Sequence, residues 1–427
     1  MIHLFLNLIN RYKKFKYFYV SPLPYAIGTA SEQIFIASKF AKLFNKKLVI
    51  IKIRSLNYKI CNNSLFDDLE IKKHSFKIGK LSNFLLATIL EIEFFAWRAL
   101  IFLNDKLLKL KLHEYFRFSY IGIPNIFESK KTTNKNLSFK KYQDIDEFDL
   151  TNESLDLNVK LKKKCKKILN QFTIGRQNKI VCLHVRDGFY RKDFKRKSYR
   201  NSNIEKYKKA VSYLINRGYL VIRLGDKNCK KFSYKNKYFI DYPFSRIKSE
   251  AMDLYLIKIS NFYIGTQSGI LDVAYMFNKP ILTTNMCELF TGYPKRKYDR
   301  GIFKKIFLAK NKKEVSIFNF MSNSYKYHNP DNENDKYYFK ENTENEIYLA
   351  TKEFEKNFKY KFKNQKSILQ KKFDKIHNKK YENLFYDRRD YKNSLINSVD
   401  SLKMIRMFKA SAGTFCNSYL KYNLSIK

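Results

Sequence analysis

The chain has 427 residues, 44% of them hydrophobic, which is enough for two or three domains with cores of their own. Lys and Arg number 85 against 39 Asp and Glu, a formal charge of +46, yet the lysines are scattered through every predicted element. Without a basic stripe a dedicated nucleic-acid surface is not expected; the charge suits an anionic surface or phosphorylated substrates instead.

The N-terminus, MIHLFLNLINRYKKFKYFYV, is apolar for only a few residues and shows no small-residue cleavage site, so no secretory signal is expected. A strand, KYFYVSPLP, leads into the loop YAIGTASEQ. A helix follows, with Ile34, Ala37, Ala41 and Phe44 at helical spacing, and then a second strand, KLVIIKI. Strand, glycine-bearing loop, helix and strand make a βαβ unit. The most apolar run, residues 84–103, is about as long as a membrane span. It carries Glu91, Glu93 and Arg98, which are costly in lipid. It reads either as a buried helix or as an interfacial helix lying against a membrane. Residues 131–165 have the polarity of a connector.

The second region is clearer. Residues 180–185 form a strand. Ser202 and Glu205 are spaced as a capping box. They start a helix with Tyr207, Ala210, Val211, Leu214 and Ile215 on one face, ended by Gly218. YLVIRLGD is the next strand and its exit. Met252, Tyr255, Leu256 and Ile259 form another helical face. FYIGTQSG is a third strand and loop, ILDVAYMFN a short helix before Pro280, and ILTTN a fourth strand. Apolar strands alternating with helices predict an α/β fold with a parallel sheet covered on both faces. Beyond residue 301 the pattern is irregular, with the polar run NPDNENDK at 329–336 and a helix starting near Asn342 or Thr343. The last residues are expected to pack back on the fold.

None of the six cysteines forms a CxxC pair or stands at metal spacing from a histidine. A zinc site is therefore not expected, and the usage fits a reducing compartment. Cys182 reads as a small core residue.

Parallel sheets bind ligands beyond the carboxyl ends of their strands. Three groups fall there: His184 to Asp187, Gly225 with Asp226, and Gly265 to Gly269. Thr266, Gln267, Ser268 and Gly269 precede a helix. They either cap it or offer amides and hydroxyls to a phosphate. The segment is neither a Walker loop nor GxGxxG. Strand alternation puts His184 and Arg186 on one side. Arg186 suits a diphosphate, because its planar fork makes two parallel bonds; the alternative is an internal ion pair with Asp187 or Asp193. Asp226 serves either a ribose or base, or a turn. Gly28 serves either a close ligand approach or a tight turn.

The segments HVRDGFY, YRNSNIEKY, GYLVIRLGD and YIGTQSGILDVAYMFNKPILTTN resemble a bacterial glycosyltransferase family marked by an HVRD…Y…RN signature, and more distantly the fucosyltransferase-type GT-B enzymes. The resemblance spans roughly residues 180–285, with weaker likeness in the opening βα unit and in ENTENEIYLATKEFE. It implies a GT-B-like α/β fold: two Rossmann-like domains, with parallel sheets facing a cleft. The expected divisions are an acceptor-side domain over 1–165, a nucleotide-sugar domain over 166–310, and a largely helical extension over 311–427. It also implies that Tyr190, Arg200 and Asn201 shape the donor pocket. Arg186, with His184 and the 266–269 backbone, would stabilise the departing diphosphate without a metal or other cofactor; no DxD-type motif stands at a strand end. An inverting reaction needs a general base, for which Asp187, Asp193 and Glu32 are the candidates. The expected partners are a nucleotide-sugar donor and a cell-envelope glycan or lipid-linked acceptor. The expected place is the cytoplasm, with peripheral contact at the inner face of the membrane. A nucleotide-sugar epimerase and a non-enzymatic basic nucleic-acid or membrane-surface binder are the rival readings.

Overall fold

The structure, a computed structural model, describes residues 16–20, 22, 26–43, 45–54, 60–77, 154–172, 179–189, 198–287, 294, 296–322, 337–362, 366–386 and 413–426. The apolar run at 84–103, the segment NPDNENDK, Tyr190 and Asp193 lie outside these residues.

The first unit comprises β1 (Tyr17–Val20), α1 (Ile27–Leu43), β2 (Lys47–Arg54), α2 (Asn63–Asp67) and β3 (Lys72–Lys77). Its strands are parallel in the order β1–β2–β3. The βαβ expectation holds, with one correction. Residues 27–33, read as loop, are the start of α1, and the Ala30 amide already bonds the Ala26 carbonyl at 2.9 Å. Gly28 is therefore a first-turn helical residue. Ile34, Ala37 and Ala41 are buried, as their spacing predicts.

The second unit opens with α3 (Val159–Phe172) and β4 (Ile180–His184). It continues through α4 (Lys208–Asn216), β5 (Leu220–Leu224), β6 (Phe239–Asp241), α5 (Glu250–Ile259), β7 (Phe262–Gly265), α6 (Ile270–Met276), β8 (Ile281–Met286) and β9 (Arg300–Phe303). Then come β10 (Lys305–Leu308), β11 (Glu314–Val315), α7 (Ile317–Ser322), β12 (Tyr337–Lys340), α8 (Glu344–Lys359), α9 (Ile368–Tyr386), β13 (Thr414–Phe415) and α10 (Asn417–Ser425). Seven parallel strands form one sheet, in the order β13–β9–β8–β7–β4–β5–β6. A small antiparallel sheet, β11–β10–β12, stands beside it.

The strands alternate between two buried faces. Val181, Leu183, Val221, Phe262 and Ile264 join one core with α4 and α8. Ile180, Cys182, Leu220, Ile222 and Tyr263 join the other, which runs on without a break into α1 and the first sheet. Each such apolar side chain, taken out of water, contributes about 1.5–3 kcal/mol. Both faces are needed, which is why these strands read as continuous apolar runs and not as alternating ones.

The two units also meet at helix ends. Asn63 donates to the Glu250 carboxylate through its amide at 2.7 Å and its side chain at 3.1 Å. An added Cβ at Gly28 would stand 2.4 Å from the Gly269 Cα. Only glycine at both positions lets the starts of α1 and α6 touch backbone to backbone.

One motif behaves differently from its reading. Ser202 and Glu205 do not form a capping box. Asn203 caps a 3-10 turn over Ile204–Tyr207 instead, and Glu205 takes the Ser233 amide at 3.0 Å. The Ser202 amide is committed to the Arg186 carbonyl, so the helix starts later. The same T-x-x-E spacing at Thr343 and Glu346 does form the reciprocal box, at the start of α8.

Candidate functional site

Outward from β4 the sheet runs β5, β6 in one direction and β7, β8, β9 in the other. This is the doubly wound order, and its reversal falls between β4 and β7. The two exits at that reversal are His184–Asp187 and Thr266–Gly269. They are bonded to each other. The Arg186 amide donates to Thr266 Oγ1 at 3.0 Å, and the Thr266 amide donates to the His184 carbonyl at 3.1 Å. His184 Nδ1 and Ser268 Oγ lie 3.0 Å apart. Both Arg186 bonds to its neighbours that hold this corner use backbone atoms, and its side chain stays partly exposed.

His184 is held neutral. Burial pushes its pKa down to about 3, reinforced by the cations Arg223, Arg186 and Lys248. A neutral imidazole bonded to Ser268 through one nitrogen presents the other as a hydrogen-bonding group, not as a charge.

The remaining predicted residues divide. Arg200 Nη2 donates to the Gln267 carbonyl at 2.9 Å, and the Asn201 carbonyl accepts from Lys304 at 2.7 Å. The Gln267 side chain turns inward, where Oε1 accepts from the Cys287 amide at 2.7 Å. Asp187 has both oxygens on backbone: Phe189 N at 3.2 Å and Lys230 N at 2.7 Å. These bonds brace the turn at Gly188, whose φ is 83°. Asp226 accepts from the Asn228 amide at 2.9 Å and closes a turn. Gly225 packs under Pro243, where an added Cβ would stand 3.0 Å from its Cγ. Gly269 faces Gly28, and α6 is a helix of seven residues. Glu32 lies one turn beyond Gly28 on α1, half-buried.

Sequence reasoning missed a buried polar chain on the β8 side. Tyr207 Oη and Thr284 Oγ1 are 2.6 Å apart, and Asn285 Nδ2 donates to Tyr207 at 3.2 Å. Asn285 and Asn342 exchange amide-to-side-chain bonds of 2.8 and 2.6 Å, and Asn342 Nδ2 reaches the Phe303 carbonyl. Three of the family-like segments thus supply Tyr207, Asn285 and Asn342 to a structural network that fixes the strand ends from behind. It also missed Lys304, at the carboxyl end of β9, because RGIFKK carries no strand periodicity. Among the described residues no cluster of His, Cys, Asp and Glu could hold a metal ion, and no helix is long and apolar enough to cross a membrane.

No family model and no curated protein match the chain. Among solved structures, it is similar to a glycosyl transferase family 9 structure from Veillonella parvula DSM 2008, at 10% identity over 64% of this chain and 82% of that one, with a TM-score of 0.35. The E. coli ADP-heptose lps heptosyltransferase II shares 11% identity over 63% and 84%, with a TM-score of 0.37. An iron-containing dodecameric glycosyltransferase from enterotoxigenic E. coli H10407 shares 12% over 62% and 58%, with a TM-score of 0.28.

Proposed function

We propose that this chain is a glycosyltransferase of the GT-B type that moves a sugar from a nucleotide-sugar donor to a cell-envelope glycan or lipid-linked acceptor. One observation carries the reading: a partly exposed arginine, a neutral histidine and a serine hydroxyl converge at the reversal point of a doubly wound sheet, from its two central strand exits. That is where such sheets take nucleotides.

In the reaction an acceptor oxygen attacks the anomeric carbon, the bond from that carbon to the diphosphate breaks, and the diphosphate leaves with the electron pair. Arg186 meets the growing charge with its planar fork. His184, neutral, and Ser268 share one hydrogen bond, so the one whose proton is not used between them donates to phosphate or a sugar hydroxyl. Tyr190, with Asp226 near the nucleoside, completes the donor side in this reading. The acceptor proton goes to a carboxylate. Asp187 is a constrained choice, because both of its oxygens already accept amides; Glu32 and Asp193 remain in that role. An acceptor anchored in the envelope suits a basic chain working in the cytoplasm at the inner face of the membrane.

A thermal-shift screen against UDP, GDP, ADP, CMP and dTDP, and then their sugars, tests the reading. One base should raise the melting temperature, by mass-action stabilisation of the folded form, and the matching sugar nucleotide should be consumed only with acceptor present. Conversion of the donor alone would indicate an epimerase. Absence of any shift, with binding to polyanions that weakens steeply with salt, would overturn the transferase in favour of a basic surface binder.

A further inference from the structure

Residues 198–202 cross the carboxyl edge of the seven-stranded sheet and are bonded to three strand exits. The Ser202 amide donates to the Arg186 carbonyl beyond β4 at 2.8 Å. Arg200 donates to the Gln267 carbonyl beyond β7 at 2.9 Å. Lys304, directly after β9, donates to the Asn201 carbonyl at 2.7 Å. The result is a strap laid over the reversal point.

Lys304 is the unusual anchor. It is 3% exposed, and its side-chain hydrogen bond among the described residues goes to a neutral carbonyl. Glu341 exerts a weaker pull from further away and is engaged with Lys206 at 3.4 Å. Burial accordingly lowers the Lys304 pKa. A buried ammonium held by a neutral carbonyl works against folding, and an apolar side chain of the same length would serve the core better. Its one evident return is the placement of Asn201.

We propose that Lys304 is a positioning residue of the donor site: it fixes the Arg200–Ser202 strap over the strand ends, so that Arg186 and the Gln267 loop are held in register for a nucleoside diphosphate. The assignment rests on the glycosyltransferase reading.

The test compares the full-length protein with Lys304→Met and Lys304→Arg, by thermal melting without ligand, by titration with the nucleoside diphosphate that binds the wild type, and by steady-state kinetics with the matching sugar nucleotide. Lys304→Met should melt at or above the wild-type temperature, bind the diphosphate at least tenfold more weakly, and raise KM more than it lowers kcat. Lys304→Arg should recover most of the affinity, because it keeps a donor to the Asn201 carbonyl. Unchanged affinity in Lys304→Met overturns the proposal and leaves the transferase reading standing. Misfolding of Lys304→Met, or a lowered melting temperature with affinity lost in proportion, also overturns it, since that marks an ordinary structural lysine. A wild type that binds none of UDP, GDP, ADP, CDP or dTDP removes the reading beneath it.

Discussion

Two cation sites at opposite ends of the seven-stranded sheet are built in opposite ways, although Arg223, buried near the carboxyl end of β5, pairs with Asp241 much as Arg296 does with Asp299. At the amino end, Arg296 is 2% exposed and donates to Asp299 from Nε at 3.0 Å and Nη2 at 2.9 Å, while Nη1 reaches Asn278. Its guanidinium lies 4.6 Å from the ring centres of Tyr275 and Tyr298. Burial opposes the charge, but Asp299 outweighs it and holds Arg296 firmly protonated. Asp299 also accepts the amide that starts β8. At the carboxyl end, Arg200 and Lys304 donate to main-chain carbonyls. A cation matched to a carboxylate three residues away has its charge answered and serves as a clamp. Cations set on neutral carbonyls keep a positive field at that edge.

Breaking the clamp should therefore have the largest effect on stability. Asp299→Ala strands a buried guanidinium and frees the Ile281 amide, and should lower the unfolding free energy by about 3–5 kcal/mol, read from urea midpoints at constant m-value. A loss under 1 kcal/mol would erase the contrast between the two ends. Arg186→Ala should do the reverse. The backbone of Arg186, not its side chain, makes the bonds to Thr266 and Ser202. Turnover should drop by about a hundredfold or more, with a melting temperature close to wild type. An equal loss of stability would make Arg186 a second clamp and remove the asymmetry.

How much of this was legible in the residues follows from length and repetition. Strands β4, β5, β7 and β8 are apolar runs with helical patterns between them, and the sequence pattern places all four. The strands β6, β9 and β13 have two to four residues each; β7 is no longer than β9 but stands between two helical patterns, as β9 does not. The candidate site's convergence was legible wherever it coincided with a strand exit, hence the meeting of Arg186, His184 and Ser268. Its supports were not, because they depend on contacts far along the chain: Tyr207 with Thr284 is 77 residues apart, and Lys304 with Asn201 is 103. Local spacing can also mislead when a backbone group is engaged elsewhere. Ser202 and Thr343 head the same pattern, and only the one whose amide is free of a distant carbonyl caps its helix.

The junction between the units gives a smaller effect. Gly28→Ala would place a methyl 2.4 Å from the Gly269 Cα and 2.9 Å from its carbonyl oxygen. Backbone cannot give way as a side chain does, so a loss of about 1–3 kcal/mol is expected. Gly269→Ala, whose closest contact is 3.0 Å, should lose less. If Gly28→Ala melts like wild type, the two helix starts do not touch in solution.

The smallest effect separates a histidine at the site from one in the core. His184 and His377 are both held at a pKa of about 3, in each case by burial first; the cations Arg223, Arg186 and Lys248 add to it at His184, while at His377 a bond to Asn378 opposes it and Lys366 adds to it. In the unfolded chain both return to about 6.5. Below that value the unfolded state binds protons that the folded state refuses, so stability falls as pH drops from about 6.5 towards 3 and is unaffected above. Each histidine adds at most about 1.4 kcal/mol per pH unit to that slope. His377→Leu removes one contribution at a position remote in sequence from the strand exits. Its urea midpoint should fall less than wild type between pH 7 and pH 5, with diphosphate binding at pH 7 intact. His184→Asn should flatten the same slope and weaken the diphosphate as well, because His184, unlike His377, is bonded to Ser268 at the reversal point. Identical behaviour of the two variants would mean that the neutral imidazole beside Arg186 is only another buried ring.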